Sequence, residues 1–286
     1  MNLFKLYFLS LTAMMLTLSV SASAQTEADS LAFVNAQWNW HKDTLGIETG
    51  AARIEMFNSV QNISVVRYPA NKFRTGLVHS PGKDAATVDV LASESGALAA
   101  LNGSYFNMKN RMPVTFFSLD HEVVGTTTPD EIFRTDGIIA FRDKKGRKME
   151  IFLCDTLKYG EYNKKYKSAI ASGPVLVVDG NTRSFPDGDS FFGKRHPRTV
   201  IGTDSKGNYY FIVIDGRFRG FGEGTTIKET AAIARYFGLT AAVNLDGGGS
   251  STVWTRECGV INHPSDNKKF DHEGCRTVPN IFAVWK

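Results

Sequence analysis

The sequence predicts a single α+β domain with a core of mixed or antiparallel β-sheet and a few covering helices. Short apolar or alternating segments, separated by turn residues, recur along the chain and are typical of strands. Two segments have apolar residues at helical spacing, and each stands directly before a continuously apolar strand. No repeat of roughly 20 to 50 residues and no Pro-rich linker divides the chain, so we expect one domain.

Two β-hairpins are predicted where strand-like segments flank a short polar turn. Residues 137–142 and 149–153 flank Lys144-Lys145-Gly146, and residues 199–203 and 209–214 flank Ser205-Lys206-Gly207-Asn208. Residues 170–178 are a further strand candidate that ends in Asp179-Gly180.

The stronger helix prediction begins at Thr226, because Glu229 three residues later completes a capping box and Gly238 ends the segment. Its apolar face consists of Ile227, Thr230, Ala231, Ala234 and Phe237. The other helix covers residues 86–95 and ends at Gly96. The strands that follow these helices, residues 97–101 and 241–245, each lead into a polar turn, which covers residues 102–105 and 246–251.

The first 24 residues have the pattern of a signal peptide. Lys5 precedes a largely apolar run that is short for a membrane span, and Ala22-Ser23-Ala24 supplies small residues before cleavage after Ala24. An uncleaved N-terminal anchor is the alternative. We therefore expect a secreted or periplasmic protein without stable membrane insertion after cleavage, with residues 25–37 as a leader and residues 38–286 as the domain.

Three cysteines follow the signal peptide, and an oxidising compartment favours their pairing. Cys258 and Cys275 flank a polar stretch, so we expect a disulfide between them, with Cys154 buried and free. No local signature supports a cysteine nucleophile.

Charge and motif content exclude several classes of protein. The formal net charge is +4 and 22% of residues are charged, with no long run of like charges, so we expect no nucleic-acid partner. The histidines lack H-x-x-x-H or H-E-x-x-H spacing, so we expect no zinc site, no other metal and no cofactor. No G-x-S-x-G nucleophile elbow is present.

The most distinctive string runs from Asp246 through Gly247, Gly248 and Gly249 to Ser250 and Ser251. Three consecutive glycines leave backbone amides accessible to an anion, and the serines add hydroxyls. Asp246 at the exit of a buried strand is held rigidly and partly desolvated. A tight turn in which Asp246 bonds to its own backbone is the alternative interpretation.

A second group of candidates lies at the open end of the second hairpin. Arg198 begins one strand and Asp215-Gly216-Arg217 follows the other, so the two arginines are expected to be neighbours that clamp a phosphate. The alternative is an exposed ion pair at the strand ends. Glu229 is more simply explained by the capping box than by catalysis.

These strings together resemble the phosphodiester glycosidase family. The matching segments are LAALNGSYFN at 98–107, ASGPVLVVDG at 171–180, RTVIGTD at 198–204, VIDGR at 213–217, AAVNLDGGGSST at 241–252, NHPSD at 262–266 and RTVPN at 276–280. The resemblance extends from about residue 85 to the C-terminus. The resemblance implies an α+β fold and hydrolysis of an α-linked sugar 1-phosphodiester, of the N-acetylglucosamine type, to free sugar and phosphomonoester.

The reaction that the resemblance implies suggests a role for each candidate residue. Arg198, Arg217 and the turn formed by residues 247–251 would hold the phosphate. A carboxylate near the anomeric carbon would stabilise an oxocarbenium-like transition state, with Asp246 as first choice, Asp215 as second and Glu229 as an outside candidate. Asn102 and Tyr105 are assigned to sugar hydroxyls or the acetamido group.

Two other functions stay open at this point. One is a non-catalytic binding protein for a phosphorylated envelope glycan, and the other is a metal-assisted phosphodiesterase.

Overall fold

A computed structural model describes residues 27–142, 148–186, 188 and 190–286. The expected signal peptide and the turn Lys144-Lys145-Gly146 lie outside these residues. The described strands in chain order are β1 (Asn39–Lys42), β2 (Glu48–Met56), β3 (Ser59–Pro69), β4 (Arg74–His79), β5 (Ala99–Asn102), β6 (Phe117–Leu119), β7 (Glu122–Gly125), β8 (Gly137–Phe141), β9 (Met149–Leu153), β10 (Ser168–Ser172), β11 (Val175–Val178), β12 (Asn181–Thr182), β13 (Arg198–Asp204), β14 (Asn208–Ile214), β15 (Leu239–Asn244), β16 (Val253–Thr255), β17 (Gly259–Val260) and β18 (Asn280–Trp285).

These strands form three antiparallel sheets. The first has eight strands in the order β1-β2-β3-β14-β13-β15-β11-β12, the second has the order β17-β16-β5-β18-β4, and the third has the order β7-β6-β10-β8-β9. The α+β class predicted from the sequence is confirmed.

Four α-helices cover the sheets in the described part of the chain. They are α1 (residues 27–34), α2 (Val88–Glu94), α3 (Tyr159–Lys165) and α4 (Ile227–Tyr236). The capping box predicted for α4 is confirmed, because Glu229 N–H donates to Thr226 Oγ1 at 3.2 Å and Thr226 N–H donates to Glu229 Oε2 at 2.9 Å. Short 3₁₀ helices form at Gly82–Asp84, Pro129–Arg134, Thr156–Lys158 and Gly248–Ser250.

Both predicted hairpins are confirmed as strand pairs. Gly137 pairs with Leu153 in β8 and β9, and Arg198 pairs with Ile214 in β13 and β14. The single strand predicted over residues 170–178 is wrong, because β10 and β11 belong to different sheets and Gly173-Pro174 separates them. Proline has no N–H for a ladder, and a Cβ on Gly173 would lie 2.4 Å from the carbonyl oxygen of Arg134.

The main core lies where the inner faces of the three sheets meet. Phe211 of the first sheet, Phe282 of the second and Phe117 of the third are all fully buried in it. A second apolar cluster fills the space between the first sheet and helices α1 and α4. Phe33 of α1 is 6% exposed and packs its ring 4.9 Å from that of Phe237, so residues expected to form a leader contribute to the folded domain.

Candidate active site

The polar turns that follow β5 and β15 are joined directly to each other. Asp246 N–H donates to the carbonyl of Gly103 at 3.2 Å, and Asn102 Nδ2 donates to the carbonyl of Asp246 at 2.7 Å. Leu245 N–H donates to Thr199 at the start of β13. The ends of three strands from two sheets therefore fix the position of Asp246.

Asp246 is partly buried, and both cationic and anionic side chains lie near its carboxyl group. Burial raises its pKa to about 6, while a hydrogen bond to Ser250 and the charges of Arg134 and Arg276 act in the opposite direction. A carboxyl group with this pKa changes charge near neutral pH, which is a common property of groups that act in catalysis.

Two arginines flank the turn that follows Asp246. Arg217 is exposed and donates from Nη1 to Ser265 Oγ at 3.2 Å. Burial and the neighbouring charge of Arg276 lower the pKa of Arg217, while Asp266 and Asp246 oppose this change. Arg276 is held by two hydrogen bonds to Asp266, of 2.8 and 2.5 Å. Two cations with one carboxylate between them leave net positive charge beside Asp246.

Two of the three glycines make room for these arginines, while a Cβ on Gly247 would lie 2.6 Å from the carbonyl oxygen of Pro197. A Cβ on Gly248 would lie 2.9 Å from Arg217 Nη2, and a Cβ on Gly249 would lie 2.2 Å from Arg276 Nη2. The amides of the turn are partly occupied, since Gly248 N–H donates to Pro197 and Ser250 N–H donates to Gly247. Guanidinium groups therefore lie beside this turn as further donors to an anion.

Arg198 has a different environment from Arg217. It is 2% exposed, and its Nε and Nη2 donate to the backbone carbonyls of Thr225, Phe191 and Lys194 at 2.7 to 3.1 Å. Burial lowers its pKa to about 10. The structure therefore uses Arg198 to hold the loop before β13, and the predicted pair of Arg198 and Arg217 is not formed as a two-arginine clamp.

Asp215 is saturated with hydrogen bonds. It is 1% exposed and accepts from Asn62 Nδ2 at 2.8 Å, from Asn262 Nδ2 at 3.1 Å and from the backbone N–H of His263 at 3.0 Å. The Nδ1 of the His263 ring lies 3.0 Å from the same carboxylate, and the ring stacks on Phe270. Asp215 therefore fastens the segment that carries Arg217 to the segment that carries Ser265.

The two residues assigned to the sugar are also buried and bonded. Asn102 is 0% exposed, and its Oδ1 accepts from Thr199 Oγ1 and from the Thr252 amide, both at 3.0 Å. Tyr105 donates from its hydroxyl to the carbonyl of Gly173 at 2.5 Å and accepts from Asn244 Nδ2 at 3.0 Å. These side chains hold the strand ends together beside Asp246.

Two further candidates from the sequence analysis are Ser251 and Glu229. Ser251 is buried, and its Oγ lies 3.1 Å from Thr199 Oγ1, within hydrogen-bond distance. Glu229 is held by the capping box and by an ion pair with Arg195 of 2.8 Å, so its carboxylate is occupied away from Asp246.

Arg134, Arg276, Asp266 and Ser265 are site residues that sequence reasoning did not select. The sequence did offer a signal for three of them, because the family-like strings NHPSD and RTVPN contain Ser265, Asp266 and Arg276. Arg134 lies at the end of a 3₁₀ helix and stands in none of the quoted strings.

The expected disulfide between Cys258 and Cys275 is not formed, and all three cysteines of the described chain are free thiols. Cys258 is exposed in the turn between β16 and β17, where its N–H donates to Thr255 Oγ1 at 3.1 Å. Cys275 is partly buried beside Thr252, and burial raises its pKa to about 11. The two thiols therefore occupy different environments although they are close in sequence.

Two further observations concern the described residues alone. Among them, no group of three or more His, Cys, Asp or Glu side chains is arranged to hold a metal ion. None of the helices formed by residues 27–142, 148–186, 188 and 190–286 has the length and apolar character that crossing a membrane requires.

Comparisons with known proteins agree with this architecture. The sequence model of the phosphodiester glycosidase family matches residues 95–285, which is most of the domain. No curated protein matches the chain significantly. This chain therefore belongs to the phosphodiester glycosidase family on the basis of the family match.

Three solved structures share the fold at low sequence identity. A hypothetical protein from Synechocystis superposes with a TM-score of 0.67 at 14% identity, over 87% of this chain and 63% of that one, so the present chain spans less than two thirds of that relative. The second is the catalytic domain of zebrafish N-acetylglucosamine-1-phosphodiester alpha-N-acetylglucosaminidase, auto-inhibited by its pro-peptide. It superposes with a TM-score of 0.61 at 18% identity, over 88% of this chain and 82% of that one. A Burkholderia pseudomallei protein described as exported superposes with a TM-score of 0.59 at 16% identity, over 81% of this chain and 75% of that one.

Proposed function

We propose that this protein hydrolyses an α-linked sugar 1-phosphodiester of the N-acetylglucosamine type at its glycosidic C–O bond, releasing free sugar and a phosphomonoester. The observation that carries the proposal is the partly buried carboxyl group of Asp246, which interacts electrostatically with Arg134, Arg217 and Arg276. A carboxylate beside clustered guanidinium groups suits a reaction with a cationic sugar carbon and an anionic leaving group.

Arg217 is the group best placed to bind the phosphate. Within the described residues it forms no ion pair with a carboxylate, and its one side-chain bond is to the hydroxyl of Ser265. A bound phosphate would satisfy its remaining donors and offset the repulsion from Arg276. Arg276 is positioned by Asp266 and adds a second cation.

The reaction transfers the glycosyl group to water. The oxygen of water forms a bond to the anomeric carbon, the bond from that carbon to the phosphate oxygen breaks, and its electron pair leaves with the phosphomonoester. Ionised Asp246 stabilises the positive charge that develops at the anomeric carbon and accepts the proton released by water. Because phosphate is a stabilised leaving group, its departure needs cations more than it needs a proton donor.

The sugar type and the compartment are part of the proposal. The name of the zebrafish relative supports an N-acetylglucosamine linkage, and the apolar N-terminal run with small residues before Gln25 supports a secreted or periplasmic location. The carbohydrate phosphodiester is the proposed partner.

The experiment that tests the function is a product assay on residues 25–286 with an α-N-acetylglucosamine 1-phosphodiester in water enriched in heavy oxygen. Mass spectrometry would locate the label. We expect it in the free sugar, because the proposed reaction breaks the bond between carbon and oxygen. Label in the phosphate would instead establish a phosphodiesterase, and tight binding without turnover would establish a binding protein.

Replacing Arg217 tests the assignment of the phosphate site. For Arg217→Met we expect kcat/KM to fall about 100-fold, because a charge-assisted contact to the departing anion is lost. Arg217→Lys should recover part of the loss, since lysine restores the charge without the two-pronged geometry. Steady-state kinetics with the same phosphodiester checks both variants.

Arg142→Met is the matched control, because Arg142 forms an exposed ion pair with Glu150 in the third sheet. It should change kcat/KM by less than about twofold. An Arg217→Met protein with wild-type kcat/KM would remove Arg217 from the phosphate site.

A further inference from the structure

We propose that the 3₁₀ helix Pro129–Arg134 forms the sugar-binding side of the site, with the ring of Phe133 as the platform for the apolar face of the pyranose. This inference rests on the proposed function and extends it by naming the segment that recognises the sugar. This helix presents two exposed apolar side chains beside a group of aromatic rings.

Two large apolar side chains of this helix are exposed to solvent. Phe133 and Ile132 are 55% and 52% exposed, although aromatic and branched aliphatic side chains are mostly buried in folded proteins. Phe133 is nevertheless held in place, because its ring packs edge-to-face against Phe191 at 5.8 Å and at 6.3 Å against Phe192. A fixed aromatic ring with a face in solvent offers ready contact area to a ligand.

Arg134 connects this platform to Asp246. Its guanidinium lies 4.1 Å from the ring centre of Tyr105, 5.1 Å from that of Phe191 and 5.7 Å from that of Phe133. Glu131 holds it with two hydrogen bonds of 2.7 and 2.8 Å. Tyr105 stands two residues after Gly103, whose carbonyl accepts from Asp246 N–H at 3.2 Å, so Arg134 and the aromatic cluster lie beside the turn that carries Asp246.

The surroundings of Asp246 therefore have two different chemical characters. One group contains Arg217, Arg276 and Ser265, which are polar or cationic. The other contains Arg134, already neutralised by Glu131, among the rings of Tyr105, Phe133 and Phe191. A sugar 1-phosphodiester carries its anion on one side of the anomeric carbon and its ring on the other.

When the phosphate binds Arg217 and the anomeric carbon lies at Asp246, the sugar ring contacts the aromatic group. The C–H groups on one face of a pyranose pack well against an aromatic ring, and hydroxyls at the ring edge can bond to Glu131 and Arg134. This arrangement assigns sugar selectivity to Phe133, while the phosphate contributes affinity that does not depend on the sugar.

The test is a calorimetric comparison of two probes, N-acetylglucosamine 1-phosphate and inorganic phosphate, binding to the mature chain. We expect wild type to bind the sugar phosphate more tightly. Phe133→Ala should weaken that binding about tenfold, or about 1.4 kcal/mol, and leave the Kd for inorganic phosphate unchanged. Phe133→Tyr should behave like wild type because it keeps the ring.

Leu157→Ala is the matched control, because Leu157 is an apolar side chain of another 3₁₀ helix and is 93% exposed. It should change neither Kd. The platform is wrong if wild type binds both probes equally, or if Phe133→Ala changes both affinities alike or neither. Selective loss with Phe133→Ala in a protein that shows no turnover would uphold the platform while rejecting the hydrolase.

Discussion

Asp246→Asn is expected to lose at least about two orders of magnitude in kcat while becoming more stable at neutral pH. The loss follows because the amide can neither stabilise a cationic anomeric carbon nor accept the proton from water. The fold should persist, because the backbone bonds that join Asp246 to Gly103 and Asn102 do not involve its carboxylate. Rate measurements on the phosphodiester and circular dichroism together check this result.

The gain in stability follows from the raised pKa of Asp246. In the folded protein the pKa is about 6, against about 3.9 for an unfolded aspartate, so the folded state binds more protons between these values. Stability therefore falls as the pH rises from about 4 to about 6. Asparagine removes this penalty, and urea unfolding at pH 7 should show a gain of up to about 3 kcal/mol that vanishes near pH 4.

The same pKa predicts the pH profile of the wild type. Since the proposed mechanism uses the ionised form of Asp246, kcat/KM should rise with pH through about 6. Glu229→Gln is the control, because its carboxylate caps α4 and pairs with Arg195. It should keep this profile and lose stability, whereas a fully active Asp246→Asn variant would remove Asp246 from the mechanism.

Asp215→Ala is expected to destabilise the fold by about 3 to 5 kcal/mol. Its carboxylate is fully buried, and its loss would leave donors of Asn62, Asn262 and His263 without their acceptor. Asp215→Asn should cost less because one acceptor oxygen remains. Urea unfolding of both variants measures the difference.

The exposed Asp84 provides a comparison for this prediction. Asp84→Ala should change stability by less than about 0.5 kcal/mol, since the side chain is exposed in a short 3₁₀ turn. If Asp215→Ala unfolds at the wild-type urea concentration yet is inactive, Asp215 acts in catalysis and its hydrogen bonds are not what fixes the fold.

The parts of the fold that the sequence predicted correctly are those determined locally. The capping box of α4 depends on Thr226 and Glu229, three residues apart, and each hairpin depends on turn residues between its strands. The strand over residues 170–178 failed because its apolar run continues through Gly173-Pro174, and only tertiary structure shows that the run changes sheets there.

For the candidate site, the sequence indicated the central carboxylate and did not indicate the side chains that surround it. A carboxylate at a strand exit before three glycines marks Asp246, but a glycine run does not reveal what approaches it. The space at Gly248 and Gly249 is occupied by Arg217 and Arg276, which reach it through long-range packing. Likewise, the spacing of Cys258 and Cys275 says nothing about the directions in which their side chains point.

The origin of the site residues in three separate sheets has a consequence for when the chain acquires activity. Arg217 and Asp246 follow strands of the first sheet, Arg276 precedes β18 of the second, and Arg134 precedes β8 of the third. The candidate site is therefore complete only when all three sheets are packed together. Since the proposed function needs these groups together, we expect the chain to acquire that activity only when the last of the three sheets has docked.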